Sequence, residues 1–519
     1  MIRSVMAFGI IALLIQPRPS NFEVREATIA DIHTALQARR ITCVQLVQKY
    51  LDRVDAYDKQ GPAINAIVTV NSRVLDEARA IDVEIARAGI TKPLECIPMV
   101  IKDNFETVGL PTTAGSLSLA GWMSNRDAFQ VKKIREAGAL IVAKTNMAEF
   151  AWSPVETVGS MLPGYTRNPY ALDRVTAGSS GGTAAAVAAS FATIGLGTDT
   201  GNSIRGPSSH NDLVGIRSTM GLTSRSGIVP LNLMNDIAGP MARTVTDAVK
   251  VFDVVTGYDP DDPVTEGARS HKDARYSAAL VAGGLKGARI GVARFIMRPT
   301  VDLDVVKIFD EALAVMQRNG AIVVDNFTIP GFDSVQNPSG CGTPERFKFG
   351  LNDYLSSRDP APPVKDLGEI LASGRFHPSI EVRMRNAEMS QIRPVNDAAC
   401  RAAQQERGDT IIKAMDAADV SAIVYPTWDN PPRLIGDLNT PAGDNSQTLF
   451  PRTGFPAITV PMGFVRGEFP SGMTILGRPW SESTLIRLAY SYERAASHRR
   501  PPDSAPPVNH RQAGINRAR

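Results

Sequence analysis

Residues 177–205 constrain this chain more than any other stretch. Ala177-Gly178-Ser179-Ser180-Gly181-Gly182 opens a run of small residues, Thr183 to Ala192, with the alanine content of a helix. Thr193-Ile194-Gly195-Leu196-Gly197 then reads as an apolar strand, and the chain turns through Thr198-Asp199-Thr200-Gly201-Asn202-Ser203-Ile204-Arg205. A helix with such small side chains can pack close against a sheet. That packing would bring the serine loops at its two ends together, although Ser179 and Ser203 stand 24 positions apart.

The rest of the chain supplies a sheet for it. Ile97-Pro98-Met99-Val100-Ile101, Leu140-Ile141-Val142-Ala143, Ala422-Ile423-Val424-Tyr425-Pro426 and Ala457-Ile458-Thr459-Val460-Pro461 are short, continuous apolar runs, the pattern of strands buried on both faces. Between them lie helical patterns. Thr28 with Asp31 resembles a capping pair before Ile29, Ile32 and Leu36; Thr42 with Gln45 opens a stripe of Val44, Val47, Leu51 and Val54. Further helices are expected near 127–137, 303–318 and 482–497, and a strand at 321–325. The alternation predicts an α/β fold with a buried sheet. Residues 259–286 read as a loop excursion. The proline-rich region 333–400 resists assignment, and from Pro501 the basic, proline-rich tail (501–519) is expected to be disordered. There is no internal repeat.

A serine hydroxyl is a poor nucleophile until a base takes its proton. The chain has six histidines (His33, His210, His271, His377, His498 and His510), none in a suggestive motif. Lysine can serve instead where burial lowers its pKa. Lys102 ends the apolar run at 97–101 and continues into Asp103-Asn104, so its ammonium can be drawn partly out of water. Taken alone it would be a surface lysine at a strand end, because lysine is almost never buried without a reason. Gly201 places bare backbone beside Ser203, where consecutive N–H groups can converge on a developing oxyanion.

Gly178-Ser179-Ser180-Gly181-Gly182 also matches the G-x-S-x-G elbow of α/β-hydrolases, with Ser180 as nucleophile. That elbow needs a hydrophobic strand directly before it. Ala171-Leu172-Asp173-Arg174-Val175-Thr176-Ala177 does not read as a buried strand, and no HGGG-type motif precedes it.

The bulk properties exclude several classes. At 519 residues the chain can bury a large core. A formal net charge of +3 is too small for its size to argue for nucleic acid or a membrane surface. Cys43, Cys96, Cys341 and Cys400 lie far apart, match no metal spacing and read as isolated thiols. No phosphate loop or dinucleotide fingerprint stands in the required strand–turn–helix setting. Arg3 followed by the eleven uncharged residues Val5 to Ile15 is too short to span a bilayer but fits a signal-peptide core within residues 1–20. Export, to the periplasm or outside, is the expectation; the alternative is a cytoplasmic protein with an extra N-terminal segment.

The lysine segment, the paired serines and the Ser203 loop together resemble the signature of the amidase signature family. The likeness runs from about Thr28 to Arg500. It includes Asn65-Ala66-Ile67, Lys144-Thr145-Asn146-Met147-Ala148-Glu149, Arg167-Asn168-Pro169, the signature at 177–220 and Gly454-Phe455-Pro456-Ala457. The resemblance implies one large α/β domain (28–500), with a mostly parallel mixed sheet wrapped by helices. It implies cleavage of amide C–N bonds through an acyl-serine without metal or cofactor, with anilides, esters and carbamates within reach of the same chemistry. On it, Ser203 resembles the nucleophile and Ser179 the bridging serine, with a cis peptide bond from Gly178. Lys102 resembles the base. The N–H groups of Thr200, Gly201, Asn202 and Ser203 resemble the oxyanion hole, and Ser180, Asp199 and Arg205 resemble supporting residues.

Two stretches depart from the family pattern. Gly201-Asn202-Ser203 stands for Gly-Gly-Ser, and Gly206-Pro207-Ser208-Ser209-His210-Asn211 for an apolar stretch. Asn202 adds a side chain beside the oxyanion hole; since the donors there are backbone groups, activity is expected to survive. The implied partner is a small-molecule amide, with no nucleic acid, no stable membrane insertion and a homodimer as the allowed assembly. The rival reading is the glutamine-hydrolysing subunit of a tRNA-dependent amidotransferase, which carries the same triad. A non-catalytic scaffold is disfavoured by the intact Lys102, Ser179 and Ser203.

Overall fold

The apolar runs line up edge to edge, and their order sets where the serine loops emerge. The computed structural model of the protein describes residues 22–508, apart from 274, 337, 438, 441, 442 and 450–452. The signal-peptide reading for 1–20 lies outside the described residues. In chain order the strands are β1 (Ile67–Val70), β2 (Pro98–Lys102), β3 (Leu140–Thr145), β4 (Arg167–Asn168), β5 (Ala171–Val175), β6 (Ile194–Asp199), β7 (Val214–Arg217), β8 (Ile237–Ala242), β9 (Arg289–Val292), β10 (Ile322–Val324), β11 (Ala422–Pro426), β12 (Ala457–Val465) and β13 (Phe469–Leu476).

Among the described residues, eleven of these form one mixed sheet in the order β1-β3-β2-β6-β8-β7-β12-β13-β11-β9-β10, and β4 and β5 form a separate ribbon. Parallel pairs join β3, β2 and β6, and again β11, β9 and β10. The pairs from β6 across to β11 are antiparallel, as is β1 on β3. Strands β2, β3, β6, β7, β8, β11 and β13 are buried along their whole length; that burial is why β2, β3, β6 and β11 read as apolar runs, whereas β7, β8 and β13 are not read from the sequence.

The small-residue run expected as a helix over Thr183 to Ala192 forms one over Gly181–Ala188, starting two residues earlier and ending four sooner, and every residue of it is buried. It packs on β2 and β6. Its closeness depends on the missing side chain of Gly195: a Cβ there would stand 2.3 Å from Thr183 Cγ2. The hydroxyls of Thr145 and Thr183 meet at 2.6 Å and tie the same helix to β3. The first two helices, Ile29–Gln37 and Cys43–Tyr57, carry full capping boxes from Thr28 with Asp31 and Thr42 with Gln45. On the second helix the buried face is Leu46, Val47, Tyr50 and Val54, so Val44 and Leu51 only flank the core.

Two expectations are corrected. The cysteines are paired, not isolated: Cys43 with Cys96 and Cys341 with Cys400. The partners are 53 and 59 residues apart, and only the fold brings them together. Cross-links closing loops of this length typically contribute about 2–4 kcal/mol. Residues 501–508 are packed, not disordered. Buried Arg53 donates to Ala505 O at 2.8 Å and Pro506 O at 2.9 Å, and Tyr57 Oη to Pro506 O at 2.9 Å. A proline-rich strip has carbonyl acceptors but few N–H donors, and this buried guanidinium supplies the missing partner.

Much of the unassigned region 333–400 is helical among the described residues. Thr343–Ser356, Leu367–Ser373 and Pro378–Glu388 enclose a second core with Phe347, Leu351, Ile370 and Met384 against Phe150 and Trp122. Each helix contributes only a few apolar residues, so no single segment shows a long stripe.

Candidate active site

The site grows from the ends of β2 and β6, which lie side by side in parallel. Lys102 is the last residue of β2 and is fully buried. Its Nζ donates to Ser179 Oγ at 2.7 Å and to Thr198 Oγ1 at 2.7 Å, with Thr198 O at 3.5 Å. Burial pulls its pKa down to about 7, against the opposing pull of Asp199 and Asp236. Near neutral pH a large fraction of Lys102 is therefore the free amine, as a base requires.

Ser179 is delivered by the loop before the small-residue helix. The Gly178–Ser179 peptide bond is cis, and Gly178 N donates to Pro154 O at 2.8 Å. Ser180 points elsewhere. Its hydroxyl donates to Thr198 O at 3.2 Å and accepts from Thr198 N at 3.3 Å, lashing the helix start to β6. The strand before this loop, β5, belongs to the two-stranded ribbon and is half-exposed. The chain thus lacks the buried strand an elbow with Ser180 as nucleophile would need.

Ser203 lies past the end of β6, beside Asn202, and both line a cleft of about 290 Å³. The turn that carries it is held from below by a buried charge cluster. Asp199 accepts from Ile204 N at 3.2 Å, Arg205 N at 3.3 Å, Arg205 Nε at 3.0 Å and Arg217 Nη1 at 2.9 Å. Burial alone would raise the pKa of Asp199, but Arg205 and Arg217 outweigh it and hold the carboxyl at about 2. Arg205 Nη2 also donates to Gly201 O at 2.5 Å, and Thr200 Oγ1 donates to Asp236 Oδ1 at 2.6 Å. Removing one partner from such a cluster typically costs about 3–5 kcal/mol, because the remaining charges stay buried.

The carbonyl side of the turn is anchored: Gly201 O accepts from Arg205 and Asn202 O from Gly206 N. Among the described residues, no acceptor meets the N–H groups of Gly201, Asn202 and Ser203. Three successive unpaired N–H groups along a cleft form an anion-binding concavity.

Both departures from the family pattern have a packing role. The Asn202 side chain is buried and reaches toward Pro154 O, at 3.5 Å, and packs over Gly206. In the polar stretch, Ser209 Oγ accepts from Gly472 N at 2.8 Å on β13, Asn211 Nδ2 donates to Thr176 O at 3.0 Å, and His210 stacks on Trp428 at 4.6 Å. Burial pushes the His210 pKa down to about 3, so the ring is neutral. Among the described residues, no histidine lines the cleft.

Some site residues carry no signal of their own. Thr198 sits within the Ser203 motif and Asn104 within the lysine segment, yet only contacts reveal that Thr198 Oγ1 accepts from Lys102 Nζ at 2.7 Å and from Asn104 Nδ2 at 3.2 Å. Arg217 lies within the 177–220 stretch without any mark of its role, and Asp236 comes from outside it. The cleft walls Trp152, Leu231, Thr343, Arg383 and Gln447 also come from outside it. Among the described residues, no group of three His, Cys, Asp or Glu side chains could hold a metal, and no helix is long and apolar enough to cross a membrane.

A family model described as Amidase matches residues 45–486. The chain is similar to a probable amidase of Arabidopsis thaliana, at 33% identity over 93% of this chain and 92% of the relative. It is also similar to a glutamyl-tRNA(Gln) amidotransferase subunit of Symbiobacterium thermophilum, at 31% identity over 90% of this chain and 96% of that one. Its fold matches the crystal structure of native peptide amidase from Stenotrophomonas maltophilia with a TM-score of 0.82, at 31% identity over 93% of this chain and 99% of that one.

Proposed function

The chain belongs to the amidase signature family, enzymes that hydrolyse amide C–N bonds, and from that premise we propose that it works through an acyl-Ser203 intermediate with Ser179 and Lys102 as the proton relay. The observation that carries this reading is the 2.7 Å contact between Lys102 Nζ and Ser179 Oγ at the buried end of β2.

As a free amine, Lys102 has two N–H donors and one lone pair. The donors face Thr198 Oγ1 and Thr198 O, which leaves the lone pair for the Ser179 hydroxyl. Lys102 takes the proton of Ser179, Ser179 takes that of Ser203, and Ser203 Oγ attacks the amide carbonyl. The oxyanion forms against the N–H groups of the 200–203 turn. The relay then runs backward, protonating the leaving nitrogen as the C–N bond breaks. Water, deprotonated by the same relay, attacks the acyl-serine and releases the acid. The proton taken from that water returns through the relay to Ser203 as the acyl–oxygen bond breaks, so every proton moves between this chain, the substrate and the attacking water.

Amidotransferase subunits among the relatives favour a second reading, glutamine hydrolysis inside a tRNA-dependent complex. The purified chain, offered simple amides and anilides alongside glutamine, with and without ATP and tRNA, separates the two. Release of amine or ammonia from simple amides by the chain alone is expected, unaffected by chelators. Activity on glutamine only, dependent on added partners, would overturn it.

We also propose that the protein is exported. Two disulfides suit an oxidising compartment, and the Arg3-led apolar run suits a signal peptide. N-terminal sequencing of the protein from its own host should find a start near Pro17–Ser20; a cytosolic product beginning at Met1 would refute this.

A further inference from the structure

Gln447 stands in the wall of the Ser203 cleft, and no step of the relay uses it. Its backbone belongs to the short helical turn Ser446–Leu449, whose first carbonyl, Ser446 O, accepts from Arg205 Nη1 at 3.1 Å. The side chain is exposed to the cleft, but its orientation is set from behind. Gln447 Nε2 donates to Asp444 Oδ2 at 2.7 Å, while Asp444 Oδ1 accepts from Ser446 N at 3.0 Å. Asp444 is buried. Burial raises its pKa to about 6, against Gln447 and Arg205, so near neutral pH it is largely ionised.

An ionised carboxylate can only accept, so it claims the NH₂ end of the glutamine and turns the carbonyl end away. That end lies over Gly201: a Cβ built there would stand 3.2 Å from Gln447 Oε1. A fixed acceptor is therefore held directly beside the backbone donors on which the substrate carbonyl oxygen rests. It is not among the groups around Lys102, from which the proposed relay returns its proton to the leaving nitrogen. What lies next to the carbonyl on the remaining side is the acyl group.

We infer that Gln447 is a specificity-determining residue that accepts a hydrogen bond from an N–H on the acyl side of the substrate, with Asp444 as the positioning residue that keeps Oε1 facing the cleft. The favoured substrates are then amides whose acyl carbon next to the carbonyl bears an acylamino group, as in N-acyl amino acid amides. This rests on the reading of Ser203 as nucleophile and deepens it.

The test compares two primary amides that differ at one atom: N-acetylalaninamide, and its analogue in which ester oxygen replaces the internal N–H. The wild-type enzyme should favour the N–H substrate in kcat/KM by about tenfold, the scale of one hydrogen bond whose loss leaves an acceptor unpaired. Gln447→Leu should reduce that preference to within about twofold. Asp444→Asn should do so too, since an asparagine NH₂ can hold Gln447 by its oxygen and turn its NH₂ into the cleft. A purely structural role would lower both substrates together and leave the ratio alone. If Asp444→Asn fails to fold, Gln447→Leu decides by itself. Equal rates for the two substrates in the wild type, or a ratio unchanged in Gln447→Leu, would overturn the assignment of Gln447 while leaving the amidase reading intact. A wild type that hydrolyses neither amide would instead remove the functional reading, and this inference with it.

Discussion

Ser203→Ala is expected to lower amide turnover by at least about 10⁴-fold, the scale seen when a serine hydrolase loses its nucleophile. The substitution removes one oxygen at the floor of the cleft. The turn itself is held by Asp199, Arg205 and Gly201 O, none of which involves the Ser203 side chain. The variant should therefore unfold at nearly the wild-type temperature, so that lost activity reports chemistry and not folding. A fluorophosphonate probe, mapped by mass spectrometry, should label Ser203 in the wild type and nothing in the variant. A label on Ser180 would sink the assignment and restore the elbow reading, which the Ser180 hydroxyl's engagement with Thr198 argues against.

Lys102→Met should cost about 10²–10⁴-fold in kcat/KM for amides, the range for loss of a positioned base. The pH profile of the wild type is the sharper measurement. Only the free amine can take a proton, so kcat/KM should rise with pH through about 7, where burial places Lys102. An unperturbed lysine would delay that rise to about 10.4. A flat profile between pH 6 and 8, or a Met variant with near-normal amide turnover, would show that the relay is wrong. Stability should move in the same direction. The folded-state pKa of Lys102 lies below its unfolded value, so the unfolded chain binds this proton more readily between the two. Stability from this group is lost as pH falls below the unfolded pKa and drops no further once pH is below the folded one. Lys102→Met, which cannot take up a charge, should remove that contribution and be no less stable than wild type at neutral pH.

The disulfides show where sequence reading stops. Cys43 opens the second helix, and Cys96 precedes β2. Nothing in their spacing announces a pair, because a disulfide needs only that two Cα atoms come within about 6 Å, whatever chain lies between. The helices at 343–388 were hidden for a related reason. Their apolar residues complete a surface with Phe150 and Trp122 from elsewhere, so the periodicity is divided among segments. The tail at 501–508 looked unfoldable by composition and is held by Arg53, 452 residues away in the case of Ala505.

Local features were legible where the physics is local. Capping boxes at Thr28 and Thr42 involve atoms three residues apart. Doubly buried strands must be apolar along their length, and the small-residue helix must lie close to its sheet. Those facts alone placed Ser179 and Ser203 at two ends of one helix–strand unit and Lys102 at the end of a buried strand; that this strand lies beside β6 is known only from the fold. What only the tertiary structure decided is everything set by approach across the sheet. It put Lys102 Nζ within 2.7 Å of both Ser179 and Thr198, closed Asp199 between two arginines and set Gln447 over Gly201. Hydrogen bonds and pKa values depend on distances of a few ångströms and on exclusion of water. Those are properties of the packed chain, which residue types specify only once the strands have taken their neighbours.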